Sequence, residues 1–138
     1  MTREEALAIL AGGDFDGFVG VTEGLEVEFK REPYRMGQDS QKFELAKDVS
    51  ALANAGGGVI VIGVLAERGD EVALDVVTEV PLVARGAVDE QQYDGTVSDR
   101  IYPRLNQLHV RFYPSQADGE RGLVAIDVPP QQESDAIS

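Results

Sequence analysis

The clearest pattern along the chain is a strict alternation. In Leu25-Glu26-Val27-Glu28-Phe29-Lys30 apolar and polar residues take turns, which predicts a half-buried strand with Glu26, Glu28 and Lys30 on its polar face. The period then changes from two to 3.6. Phe43, Leu45, Ala46, Val49, Leu52 and Ala53 fall on one stripe, so Lys42–Asn54 reads as a helix. Asp39 or Ser40 suits its N-cap, and Gly56 stands where a left-handed C-cap residue belongs. Val59-Ile60-Val61-Ile62-Gly63-Val64-Leu65 is unbroken apolar sequence, mostly β-branched, and predicts a central strand covered on both faces.

The flanking segments carry weaker patterns. Thr2-x-x-Glu5 forms a capping-box sequence ahead of a short helix through Leu10, which Gly12-Gly13 stops. Residues 14–24, rich in glycine and acid, read as a loop, and Pro33–Gln41 as a polar connection. After a turn at Arg68-Gly69-Asp70, alternation at Val72, Leu74 and Val76 predicts a hairpin with the apolar strand. Tyr93, Val97, Ile101 and Leu105 recur every four residues, a helix whose end Pro103 disturbs. Leu108–Tyr113 and Leu123–Val128 complete the strands, joined by the turn-rich stretch 114–122. The expected fold is α+β, a mostly antiparallel sheet with helices packed on it. Its divisions are an N-terminal helix and acidic loop over 1–24, a domain over 25–130 and a polar, frayed tail over 131–138.

Composition narrows the class of protein. The chain has 138 residues, of which 43% are hydrophobic, enough for one domain with a core of its own. No apolar run approaches the roughly 20 residues a membrane span needs, and the first residues lack the basic-then-apolar order of a signal peptide. Cysteine is absent, which excludes disulfides and thiolate chemistry, and a single histidine, His109, excludes most zinc sites. The expected location is the cytoplasm. Net charge is −13, which on average repels a phosphate backbone. The charge is uneven, however. Residues 1–24 carry −4 and residues 61–138 carry −8, whereas 25–60 carry only −1, with Lys30, Arg31, Arg35, Lys42 and Lys47 among them. A basic face is therefore permitted in that segment.

Two features invite chemistry. Gly56-Gly57-Gly58 looks like a phosphate loop, but such loops follow a strand and open a helix, whereas these glycines close a helix and enter a strand. A tight turn is the better account. Glu26 and Glu28, with Glu23 before them and Lys30 beyond, could hold a divalent metal or do acid–base work, or could simply be a solvated strand face with cross-strand charge pairs. His109 reads as an ordinary polar strand position. Ser50 lacks a local His or Asp partner and reads as a small helix-packing residue.

Taken in order, three of these segments resemble the Schlafen-type AlbA-like DNA-binding domain family. They are the strand ending Glu28-Phe29-Lys30, the helix end Ser50-Ala51-Leu52-Ala53-Asn54-Ala55-Gly56-Gly57-Gly58, and the strand Val59–Val64 closing in Ile62-Gly63-Val64. The likeness is strongest over 23–64 and extends to about Pro130. It implies an α+β fold and a nucleic-acid-binding role, usually as the N-terminal module of a longer bacterial regulator of transcription. In the Schlafen branch it further implies an RNA-cutting site of two glutamates and an aspartate. Glu28 and Glu23 match the glutamates. Where the aspartate is expected stands Leu65-Ala66-Glu67, so the third acid is absent or supplied one position away by Glu67.

Three functions follow as expectations. One is a module that binds RNA or DNA through Lys30, Arg31, Arg35, Lys42 and Lys47 and needs no cofactor. Another is a metal-dependent ribonuclease with Glu23, Glu28 and Glu67 as catalytic acids, and Glu23 and Glu28 holding Mg or Mn. The third is an acidic protein-interaction or regulatory domain that has lost nucleic acid. Expected partners are nucleic acid, a second copy in a homodimer, and a downstream domain or protein; no membrane is expected. Efficient cleavage is not.

Overall fold

A computed structural model of the chain describes residues 1–69, 74–101, 104–105 and 107–131. The unbroken apolar run sets the architecture. Its first part forms β2 (Gly58–Ile62), and all five residues are buried. A strand with no solvent face needs a neighbour on each edge and cover on each face. On one edge lies β1 (Val27–Lys30), parallel, with Val27 opposite Val59 and Lys30 opposite Ile62. On the other lies β7 (Arg121–Val128), antiparallel, with Gly58 opposite Val128 and Ile62 opposite Val124. β6 (His109–Pro114) pairs with the far side of β7, and the short β5 (Val83–Ala84) pairs with Gly122 and Arg121 beyond the end of β2. The fold is α+β as expected, and the β1–β2 pair is the parallel exception in its main sheet.

Parallel neighbours require a crossover, and α2 (Asp39–Asn54) supplies it. Leu45, Val49 and Leu52 pack with Ile60, Ile62, Val124, Ile126 and Val128, joined by Tyr93 and Val97 of α3 (Glu90–Arg100). Alternate residues of the same strands, Val59, Val61, Leu123 and Ala125, face the opposite side with Val27 and Phe29. There they meet Ala6 and Leu10 of α1 (Arg3–Gly12) and the buried Phe15 and Phe18 of a 3-10 turn. Phe18 meets Phe29 edge to face, centroids 5.7 Å apart. The sheet is thus a middle layer between two cores.

The N-terminal helix is fastened at two points. Thr2 and Glu5 form the reciprocal capping box read from the sequence. Arg3 then grips Asp127 of β7 with two bonds, Nε–Oδ1 at 2.6 Å and Nη2–Oδ2 at 3.0 Å, its pKa raised chiefly by that bond. Both side chains are mostly buried, at 17% and 16% exposed, so this is a charge-assisted fork that replaces lost hydration.

Several expectations are corrected. β1 begins at Val27, not Leu25, whose side chain is 83% exposed. Glu26 stands before the strand and accepts a bond from Arg3 N at 3.1 Å, so it does not share a strand face with Glu28. The N-cap of α2 is Gln38, without a side-chain cap bond, rather than Asp39 or Ser40. Phe43 is 60% exposed, because the buried stripe centres on Leu45, Val49 and Leu52 and Phe43 lies about 150° around the helix from that centre. The apolar run breaks at Gly63, where a φ of +110° turns the chain off the sheet. Leu65 therefore opens a separate strand, β3 (Leu65–Arg68), paired antiparallel with β4 (Asp75–Glu79) in a sheet of two. The hairpin partner of β4 is β3 rather than β2, and the buried residue of β4 is Val77. The segment read as a loop contributes the 3-10 turn Phe15–Phe18 to the core. The expectations for Asp70, Val72, Pro103 and residues 132–138 lie outside the described residues.

The three successive glycines differ in what each requires. Gly56 has a φ of +97° with open space around it, whereas a Cβ at Gly58 would meet Glu26 O and Leu52 Cδ2, each at 2.7 Å. Gly56→Ala is expected to cost about 1 kcal/mol from backbone conformation alone. Gly58→Ala is expected to cost about 2–3 kcal/mol, because the Glu26 backbone oxygen just ahead of β1 must yield as well as a side chain. Urea denaturation of both variants checks this, and equal costs would contradict the close β1–α2–β2 packing.

Candidate nucleic-acid interface

Where β1 ends, its last residue, the segment 31–38 and the first turn of α2 come together. Tyr34 and Met36 in that segment are buried, which pins an otherwise polar connection to the core. Tyr34 OH donates to Asp48 Oδ2 of α2 at 2.6 Å, and Tyr93 OH of α3 donates to Tyr34 O at 2.9 Å. The two rings meet edge to face at 6.0 Å. Burial first, and the bond to Asp48 second, raise the Tyr34 hydroxyl well above its ordinary pKa of 10, so it remains a proton donor. Burial likewise pushes Tyr93 to about 12.

Lys30 leaves β1 over this anchor, its Nζ 4.3 Å from the Tyr34 ring centroid. Beside it lies an open depression of about 580 Å³, whose polar lining includes Lys30, Arg31, Glu32, Arg35, Gln38 and Gln41. Arg35 N donates to Gln41 Oε1 at 3.3 Å, closing the segment against the helix. Three bases and one acid face this space in a chain of net charge −13. Arg31 and Arg35 are exposed, and the ion pair of Arg35 with the equally exposed Glu32 is long, at 4.0 Å. Lys42 and Lys47 sit farther along α2 and do not line the depression; Lys47 lies 3.8 Å from Glu44.

The acids occupy the adjoining position. Glu28 is half-buried, and burial pushes its pKa up to about 7, with Asp48 and Glu23 adding to the rise while Lys30 and Lys47 oppose it. Glu23 Oε1 accepts from Phe29 N at 3.2 Å, and Glu23 N donates to Asp75 O at 2.9 Å. Burial raises the Glu23 pKa too, against that Phe29 bond, and Asp75 adds to the rise. Glu67 stands exposed on β3, opposite Val76, and is not among the charges acting on Glu28. No three His, Cys, Asp or Glu side chains converge to hold a metal among the described residues. His109 is exposed on β6, opposite Asp127.

The sequence reading missed Asp48 and Tyr34. A usable signal existed for Tyr34, the one aromatic residue of the 33–41 connection. Asp48 flanks the buried stripe of α2 on the side away from Phe43, a position that looks like plain solvent until β1 is placed beside it.

A family model described as Schlafen, AlbA_2 matches residues 23–138. The chain belongs to this family. The match begins at Glu23, so α1 and the 3-10 turn lie outside it although they pack on the same sheet. Among solved structures, this Schlafen AlbA_2 domain is similar to the N-terminal domain of a RecG-related protein from Nitrosomonas europaea, determined by solution NMR. The two are 20% identical with a TM-score of 0.43, over 97% of this chain and 76% of that one. A search of curated proteins finds no match. No helix among the described residues is long and apolar enough to cross a membrane.

The Glu28 environment has a measurable consequence. A carboxyl whose pKa rises on folding favours the folded state most fully below its ordinary value near 4.5, and that contribution is lost as pH rises through about 7. Glu28→Gln removes this loss. The variant's Tm relative to the parent is therefore expected to be higher at pH 8 than at pH 5. A difference independent of pH would mean that Glu28 titrates as an ordinary surface acid.

Proposed function

We propose that this Schlafen AlbA_2 domain is a nucleic-acid-binding module of a bacterial-type regulator, contacting RNA or DNA phosphates through Lys30, Arg31 and Arg35. One observation carries this reading: the depression at the end of β1 concentrates three bases against one acid, in a chain where acids outnumber bases about two to one. Family membership points the same way. Lys42 and Lys47 lie on α2 beyond the depression and serve as secondary contacts. Phosphate contacts position a nucleic acid without reading its sequence, so binding at this surface alone is broad. It needs no cofactor. The domains of action follow the same division, with 25–130 carrying the interface and the N-terminal segment supporting the sheet from behind. A second copy or a downstream domain would then supply selectivity.

Arg31→Ala with Arg35→Ala is the direct test, since both side chains are exposed and neither supports the core. The pair is expected to weaken binding to all sequences alike and to reduce the slope of log K against log salt by about two. Fluorescence anisotropy over a salt series reads both quantities. Unchanged affinity and slope would place binding elsewhere.

A metal-dependent ribonuclease is the second reading, favoured by the adjacency of Glu23 and Glu28 and the raised pKa of Glu28. Two carboxylates could hold Mg or Mn weakly through oxygen ligands. With Glu67 exposed on the separate β3–β4 hairpin, Asp48 is the better-placed third acid, although Tyr34 already occupies one of its oxygens. Binding without efficient cleavage is therefore the function we favour. RNA incubated with the domain and Mn²⁺ is expected to stay intact; cleavage abolished by Glu28→Ala would reverse that preference.

A further inference from the structure

A second depression, about 450 Å³, adjoins the basic one and shares Glu32, Pro33 and Arg35 with it as a common wall. Its chemistry is different. Tyr34, Met36 and Tyr93, all buried, line it together with the carboxylates of Glu32 and Asp89 and the amide of Gln92. Asp89 is the N-cap of α3, and its Oδ1 accepts from Gln92 N at 3.1 Å, which leaves its second oxygen without a hydrogen bond to the described residues. Among the described residues, Glu32 pairs only with the exposed Arg35, at 4.0 Å.

A phosphate in this second space would meet two carboxylates against one guanidinium. A nucleobase suits it better, with its flat body against the accessible Pro33 and Ala87 and the edges of the floor residues, and its amino hydrogens turned to acceptors. Base amino groups are tied up in pairing within a duplex and free in a single strand. We infer that the second depression is a base subsite, so that the paired depressions take one nucleotide of single-stranded RNA or DNA, phosphate in the first and an unpaired amino-bearing base in the second. This inference rests on the binding function proposed above and deepens it.

Cytosine and uracil test the idea, because they match in size and differ along one edge: cytosine presents an exocyclic amino donor beside an acceptor N3, and uracil an acceptor oxygen beside an N3–H, so only cytosine offers amino hydrogens to the two carboxylates. Labelled oligo(C) and oligo(U) of about ten nucleotides and a C·G duplex of equal length are titrated with the full chain at one salt concentration. Oligo(C) is expected to bind roughly five-fold or more tighter than oligo(U), and tighter than the duplex. Glu32→Gln with Asp89→Asn keeps the helix cap, since asparagine caps as well as aspartate. The double variant loses negative charge and should bind both oligomers at least as tightly as the parent, so affinity alone is uninformative. The C-over-U ratio is the readout, and it is expected to fall toward one. Equal affinities of the parent for all three probes, or a ratio unchanged in the variant, overturn the base subsite while leaving the phosphate surface standing. Absence of binding to every probe overturns both.

Discussion

Everything in this molecule follows from the need to hide β2. Five consecutive residues without a solvent face cannot be satisfied by one helix and one neighbour. Each edge must be hydrogen-bonded and each face covered, so β1 and β7 flank it while α2 and α1 lie on opposite sides. The parallel register of β1 with β2 obliges the chain to return along the sheet before pairing, and the stripe of Leu45, Val49 and Leu52 makes that return a helix. Gly58 then has to be a glycine because β1, α2 and β2 converge on it. The Arg3–Asp127 fork closes the other side by tying the start of α1 to the strand that pairs with β2.

The candidate interface is a by-product of that crossover. At the end of a parallel strand the chain leaves the sheet and must re-enter it as a helix, so backbone and side chains open outward there. Tyr34 and Met36 keep the segment from collapsing into the sheet or floating free, and the residues between and around them face solvent. Lys30 belongs to both environments. Its charge opposes the rise in the Glu28 pKa, its ammonium lies over the Tyr34 ring, and it lines the basic depression. Removing Lys30 would therefore disturb the acids behind it as well as the surface in front, which makes Arg31 and Arg35 the cleaner reporters.

Much of this fold is legible in residue order, and the failures have physical causes. Periodicity identifies β1, α2, β2, β6 and β7 to within a few residues because each buries a regular face. It cannot identify the end of β2, since Val64 and Leu65 continue the apolar run and only the φ of Gly63 breaks it. Nor can it assign Phe15 and Phe18 to the core, because a 3-10 turn of four residues has no room for a period. The site is less legible than the fold. Glu23, Glu28 and Lys30 stand out by motif and spacing, and the fold brings them together. Asp48 and Tyr34 meet them only through the β1–α2 packing, a long-range contact that no local pattern encodes.

The acidity of the chain argues against phosphate binding only if charge is counted without distance. At physiological salt the screening length is about 8 Å, so exposed acids on remote elements act weakly on an ion seated at the end of β1. What such an ion meets first is Lys30, Arg31 and Arg35 against Glu32. Glu23, Glu28 and Asp89 adjoin this space, and the acids on remote elements act at longer range, where they lower the rate of encounter with any polyanion and discourage non-specific contact over the rest of the surface. Under the proposed function, a small positive depression on a strongly negative body gives up on-rate for localisation: it would hold nucleic acid in one place and one orientation, while the rest of the surface repels it. That arrangement suits a module that selects a few nucleotides rather than one that coats a strand.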